Sequence, residues 1–223
     1  MRLTALLRAD LKFLVRYGFL ALYALFCLLY LLILAACPAG LRETVCTFLV
    51  FTDPAAMGLF FMGALLLLEK SQRVLPALAV SPAPAWAYVC SKALAFALAG
   101  TLVGAVLSVF SPAEVLAPRL LTLLTGGFFF SLLGMTAGLH SGSLNHFILL
   151  STALEVLFCL PGLLGLLGML PGWLSWHPGA LIAAGLRGNP AAPFLLLPWV
   201  AAAFALTART AGRRLTDMGG VRL

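Results

Sequence analysis

Few side chains in this sequence of 223 residues are of a kind that does chemistry. His140, Ser141, Ser143 and His146 fall within one short run, and serine with histidine is what a nucleophilic hydrolase would need. Such a dyad also needs an acid to orient its histidine, and none stands nearby. A polar turn that caps a helix accounts for the same residues. Gly126-Gly127 lacks the lysine of a phosphate-binding loop, and neither a zinc-protease motif nor a hydrolase nucleophile elbow is present. Cys27, Cys37, Cys46, Cys90 and Cys159 show no metal-ligand spacing. Cys37 and Cys46 flank a short loop where pairing is conceivable, although free apolar cysteines fit the surroundings better. No catalytic residue and no metal site is assigned.

Glu155 is the exception. It stands eight residues into an uncharged stretch that begins near Phe147. An ionised carboxylate at mid-bilayer costs about 3 kcal/mol or more, so such acids default to a functional reading. Two roles fit: a protonated carboxyl bonded to a Ser or Thr of a neighbouring helix, or a polar contact in a transport pathway.

The other concentration of polar residues is 69–92, with Glu69, Lys70, Arg73 and Lys92. A solvated connector is the plain reading. Val74, Leu75, Leu78 and Val80 argue for more, because apolar side chains in an exposed loop are costly unless a partner covers them. The following Ser81-Pro82-Ala83-Pro84 run forms a stiff, non-helical elbow. A short helix followed by a rigid elbow suits a docking element.

The elements that position these residues belong to a membrane. The chain is 63% hydrophobic and 9% charged, with mean hydropathy +1.10, far from soluble-domain usage. Uncharged runs of about 20 residues, enough to cross a bilayer, recur along it. Residues 1–16 place Arg2, Arg8, Lys12 and Arg16 opposite Leu3, Leu7, Leu11 and Leu14, as in a basic amphipathic helix lying in the membrane interface. Six spans are expected at 17–37, 48–68, 93–110, 120–139, 147–160 and 191–208. Asp53-Pro54 reads as the cap and first turn of the second membrane helix. Gly126, Gly127, Gly134 and Gly138 allow close packing of the fourth. Residues 163–190, broken by Pro171-Gly172 and Pro178-Gly179, read as an outer re-entrant or interfacial segment with Trp173 and Trp176 at headgroup level. The whole is a single all-α transmembrane domain.

Six spans put both termini on one side. Eleven of the 14 Lys and Arg residues then share that side with the 69–92 loop, leaving Arg42, Arg119 and Arg187 opposite. The positive-inside rule makes the richer side cytoplasmic. The net charge of +7 is explained by topology and anionic lipid, with no need for nucleic acid.

With these elements in place, several residues carry a resemblance: Asp53-Pro54, the span ending in Glu69-Lys70, Val74-Leu75 with Leu78, Ser81-Pro82, and Trp86-Ala87-Tyr88 leading to Ser91-Lys92. The pattern resembles the permease subunits of ABC-2 type exporters, and within them the bacterial subfamily of fluoroquinolone export. The resemblance covers the whole chain. It implies that residues 69–80 are a cytoplasmic coupling helix docking on a separate ABC ATPase subunit through Glu69, Lys70, Arg73, Val74, Leu75 and Leu78. It also implies that two permease subunits, as a homo- or heterodimer, enclose the pathway in the bacterial inner membrane. This chain would bind no cofactor, ATP-Mg being held by the partner. Pro76 departs from the pattern and is expected to kink or shorten the coupling helix. An ATP-independent carrier would instead call for internal repeats and several intramembrane charges; a non-transporting scaffold is the third reading, separated by co-purification with a nucleotide-binding subunit.

Overall fold

A computed structural model of the chain describes residues 2–53, 56–72, 74 and 84–219. Among these residues all regular structure is helical. In chain order the helices are α1 (Arg2–Arg16), α2 (Phe19–Ala36), α3 (Ala39–Thr52), α4 (Met57–Ser71), α5 (Ala85–Leu107), α6 (Ala113–His140), α7 (Leu144–Leu166), α8 (Pro178–Leu186), α9 (Ala192–Leu195) and α10 (Leu197–Gly219). Single 3-10 turns lie at Ser108–Phe110 and Gly172–Leu174. Among the described residues, six helical segments are long and apolar enough to cross a membrane: Phe19–Ala36, Ala39–Ser71, Ala85–Phe110, Ala113–His140, Leu144–Leu166 and Ala192–Thr216. Hydrocarbon offers no water to backbone N–H and C=O groups, so these segments must satisfy them internally as helices. The protein is an all-α polytopic membrane protein.

Helix α6 sits at the centre, packed against α4, α5, α8 and α10. Its glycines make that possible. Gly126 faces Ile182 of α8 and Gly127 faces Ala97 of α5. At Gly134 the backbone of α4 comes so close that a Cβ would collide with the Leu59 carbonyl. Without a hydrophobic force between helices in lipid, such close backbone contact is a main source of association. By contrast, α2 and α7 are peripheral: Leu25, Leu28 and Leu32 on the first, and Leu149, Val156 and Leu160 on the second, are exposed on the chain's surface.

Several boundaries differ from the sequence expectation. Helix α5 begins at Ala85 rather than 93, so Trp86, Tyr88 and Lys92 are helical and the polar loop is shorter. Helix α6 begins at Ala113 and runs through Pro118; Arg119, expected in an outer loop, lies inside it and is fully buried. Likewise α7 runs through Pro161 to Leu166. Membrane helices tolerate proline where surrounding groups satisfy the freed backbone, so neither residue ends its helix. The basic residues Arg209, Arg213 and Arg214 continue α10 instead of forming a separate tail.

Asp53 does not cap the second membrane helix. It follows Thr52 at the end of α3, while α4 has Ala56 at its N-cap position with no side-chain cap bond. The residues before Asp53 form a packed helix, with Cys46, Thr47, Val50 and Phe51 buried.

The expected amphipathic helix forms as α1, with Arg8, Lys12 and Arg16 exposed. Its apolar side is taken up by protein: Leu14 is buried, Leu7 and Leu11 pack on the core, and the neighbours are α5 and α2. In the 163–190 segment, α8 is buried along most of its length against α6 and α7. Trp173 and Trp176 remain exposed, at 80% and 69%.

Candidate functional site

Among the described residues, two polar assemblies and a third, solitary acidic site interrupt the apolar packing. The first joins α1, α4 and α5 at the base of the 69–92 segment. Glu69, in the last turns of α4, is buried; its Oε2 accepts from the Tyr88 hydroxyl at 2.7 Å and its Oε1 from Lys92 Nζ at 2.6 Å. Lys92 also donates to Asp10 Oδ1 at 2.9 Å, and the Ser91 hydroxyl donates to Asp10 Oδ2 at 2.6 Å. One buried ammonium therefore bridges two carboxylates from different helices. Buried ions survive only when their partners are this complete.

Lys70 is held close by. Its Nζ donates to the carbonyls of Gly138 (2.7 Å), Leu139 (3.1 Å) and Ser141 (2.8 Å), closing the C-terminal end of α6. A cation among terminal carbonyls is the favoured pairing with the helix dipole. The Tyr17 hydroxyl donates to Gln72 Oε1 at 3.1 Å, tying the α1–α2 junction to the end of α4. Of the six residues expected to dock a partner, Glu69 and Lys70 thus point their side chains into the chain. Val74 is helical and exposed. Arg73, Leu75 and Leu78, with Pro76, lie outside the described residues.

The second assembly lies at the opposite end of α6. Arg119 donates through Nε to the Leu186 carbonyl at 2.9 Å and through Nη2 to Thr47 Oγ1 at 2.9 Å, and it pairs with Glu43 and the Ser111 hydroxyl. It binds α3, α6, α8 and the α5–α6 turn together. Arg187 closes the end of α7, donating to the Gly165 carbonyl at 3.1 Å and to that of Leu166.

The third surrounds Glu155. It stands half-exposed on α7 beside a cavity of about 220 Å³ lined by Thr52, Val156, Cys159, Leu160 and Leu163. Among the described residues it makes no hydrogen bond. Thr52, the one hydroxyl among the described residues lining the cavity, donates to the Phe48 carbonyl at 3.0 Å. Of the two roles weighed for Glu155, the bond to a Ser or Thr of a neighbouring helix is not formed among the described residues.

The His/Ser run is a capping turn. Ser143 accepts from His146 N–H at the start of α7, Ser141 Oγ donates to the Ala137 carbonyl, and His140 Nδ1 lies 2.8 Å from the Thr136 carbonyl. All five cysteines are free, Cys37 and Cys46 included.

Sequence reasoning gave no site role to Asp10, Tyr88 or Arg119. A signal existed for the first: Asp10 is the one acid among the basic residues of α1.

The fold can be set beside known proteins. No family model and no solved structure matches the chain. Two curated proteins do, from two strains of Mycobacterium tuberculosis, each named a fluoroquinolones export permease protein. Each is 25% identical over 203 residues, covering 89% of this chain and 84% of the relative. The chain is a distant relative of export permeases. The charged assemblies fasten the helices to one another: Lys92 in α5 and Arg119 in α6 are buried cations, each paired with carboxylates of other helices.

Proposed function

We propose that this chain is the membrane-spanning subunit of an ABC-2 type exporter, driven by a separate ABC ATPase and working as a dimer in a bacterial inner membrane with both termini cytoplasmic. The observation that supports this reading is the anchoring of the two helix ends that flank residues 73–83. On the α4 side the anchors are Glu69, Lys70 and Gln72; on the α5 side they are Tyr88 and Lys92. Helix ends fastened in this way to α1, α4, α5 and α6 would pass a push on the connecting segment to several spans together. Val74, Leu75 and Leu78 are then the docking surface, with Glu69 and Lys70 as its foundation.

The cargo we propose is an amphiphilic, drug-like molecule entering from the lipid. Support comes from the apolar spans, from the names of the relatives, and from Glu155, whose carboxyl has no partner among the described residues. A carboxyl on a membrane helix face is costly in lipid. A second subunit covering the exposed face of α7 would enclose Glu155 in a pathway.

The test is co-purification with any ABC ATPase that a neighbouring reading frame is found to encode, followed by ATP-driven dye transport in inverted vesicles. Leu75→Asp with Leu78→Asp places charge on the docking surface and should abolish association and turnover. If both survive the double change, residues 73–83 are not the coupling element.

A further inference from the structure

Two cavities lie in order along the seam where α3 packs on α7. The first, of about 220 Å³, is walled by Glu43, Thr44, Thr47 and Phe48 of α3, by Leu166 of α7 and by Arg187. The second, also about 220 Å³, is the Glu155 cavity, with Thr52 of α3 and Leu160 and Leu163 of α7 in its walls. From the first to the second, residue numbers rise along α3 and fall along α7, as two antiparallel helices require. The first cavity sits at the helix ends: Leu166 is the last residue of α7, and Arg187 directly follows α8. Spans end where hydrocarbon gives way to headgroups. The seam is therefore polar at headgroup level and apolar farther in.

Its polar end has spare capacity for both charges. Glu43, its side chain 40% exposed, engages one carboxylate oxygen: Oε1 pairs with Arg119 and accepts from Thr47 at 3.2 Å. Oε2 is buried and unpartnered among the described residues. The terminal torsion of a glutamate is soft, so a modest turn of the carboxyl presents this oxygen to the cavity. Arg187 is exposed and donates to the Gly165 and Leu166 carbonyls, which uses two of the five N–H donors in a guanidinium fork. Unspent guanidinium donors suit a phosphate, and a free carboxylate oxygen suits an ammonium. A molecule that carries both charges a few bonds apart, joined to an apolar chain, matches the whole seam.

We infer that the α3–α7 seam binds a phospholipid with a primary ammonium in its head group. The phosphate lies at Arg187, the ammonium at Glu43, and an acyl chain runs past Thr52 and Leu163 toward Leu160. Glu155 has no part in it, standing about 12 Å beyond Leu163 along α7 at the helical rise. Such a site needs only the membrane placement of these helices and is independent of the exporter reading.

The test measures lipid binding to the delipidated chain by native mass spectrometry. The probes are phosphatidylethanolamine and its N-methyl, N,N-dimethyl and N,N,N-trimethyl (choline) forms. All four keep the phosphate and the positive charge, but the choline form has no N–H to donate. Wild type should bind the ethanolamine lipid about tenfold tighter than the choline lipid, the value of one charge-assisted hydrogen bond, with the largest step at the last methyl. Glu43→Gln should remove that preference while leaving the choline lipid within about twofold. Arg187→Gln should weaken all four severalfold and keep their order. Because Glu43 also pairs with Arg119, Thr44→Trp supplies a second arm: it fills the cavity from an exposed position, leaves that pair intact and should weaken all four. A wild type indifferent to N-methylation, or a preference that survives Glu43→Gln, overturns the site and leaves Oε2 to structural water. Unchanged binding in Arg187→Gln or Thr44→Trp does the same, and the Trp variant decides if Glu43→Gln fails to fold.

Discussion

Lys92 Nζ lies 2.6 Å from Glu69 Oε1, with both side chains 4% exposed, across 23 residues of sequence. Only the ammonium keeps Glu69 and Asp10 compatible in one buried site. Lys92→Met should therefore cost about 3–5 kcal/mol, because it strands carboxylates that cannot be solvated. Adding Glu69→Gln should recover part of the loss. Thermal unfolding of the detergent-purified variants measures both; a double variant as unstable as the sum of its singles would mean the two residues do not interact.

Topology follows from the charge bias. Reporter fusions after Arg16, Lys70 and Arg214 should all report the cytoplasm, and a fusion at Arg187 the outside. Burial of Arg119 removes a residue from the outer count and strengthens the bias. A cytoplasmic signal at Arg187 would refute the arrangement.

Glu155→Gln separates two roles. If the carboxylate faces cationic cargo, transport of a cationic dye should fall while that of a neutral dye persists, with assembly intact. If it serves helix packing, Gln keeps most of its hydrogen-bonding capacity and both dyes should be carried, whereas Glu155→Leu should lower stability. Equal retention of the two dyes by the Gln variant removes Glu155 from the cargo site.

His177 gives the fold a pH dependence outside the spans. Its Nδ1 accepts from the Gly179 N–H at 3.3 Å and caps α8, which only a neutral imidazole can do. Burial holds its pKa below the ordinary value of 6.5 by disfavouring the charged form. The cap is therefore fully present above that ordinary value and is lost as pH falls from there through the lower folded value. Hydrogen exchange in α8, corrected for intrinsic rates, should be faster at about pH 5 than at about pH 7.5. His177→Asn, which caps without titrating, should flatten the difference; an unchanged pH response in that variant would exclude His177 as its source.

The sequence by itself determined the class of protein, the number of its spans and the location of its polar segments. The physical reason is that the solvent decides these: a bilayer demands long uncharged helices, and both length and charge are local properties of the chain. The glycines of α6 were legible as packing residues for the same reason, since a missing side chain permits close approach whatever the partner. Tertiary structure alone decided where the charged residues act. Lys92 and Arg119 read locally as loop residues beside spans, yet both are buried, because Asp10 lies 82 residues from the first and Glu43 lies 76 from the second. Burial of a cation depends on whether distant carboxylates converge on it, and nothing in the neighbouring sequence encodes that convergence. The same holds for Asp53, whose short-range pattern matched a helix cap, while the structure sets it after the last turn of α3 with Oδ2 buried and unpartnered among the described residues.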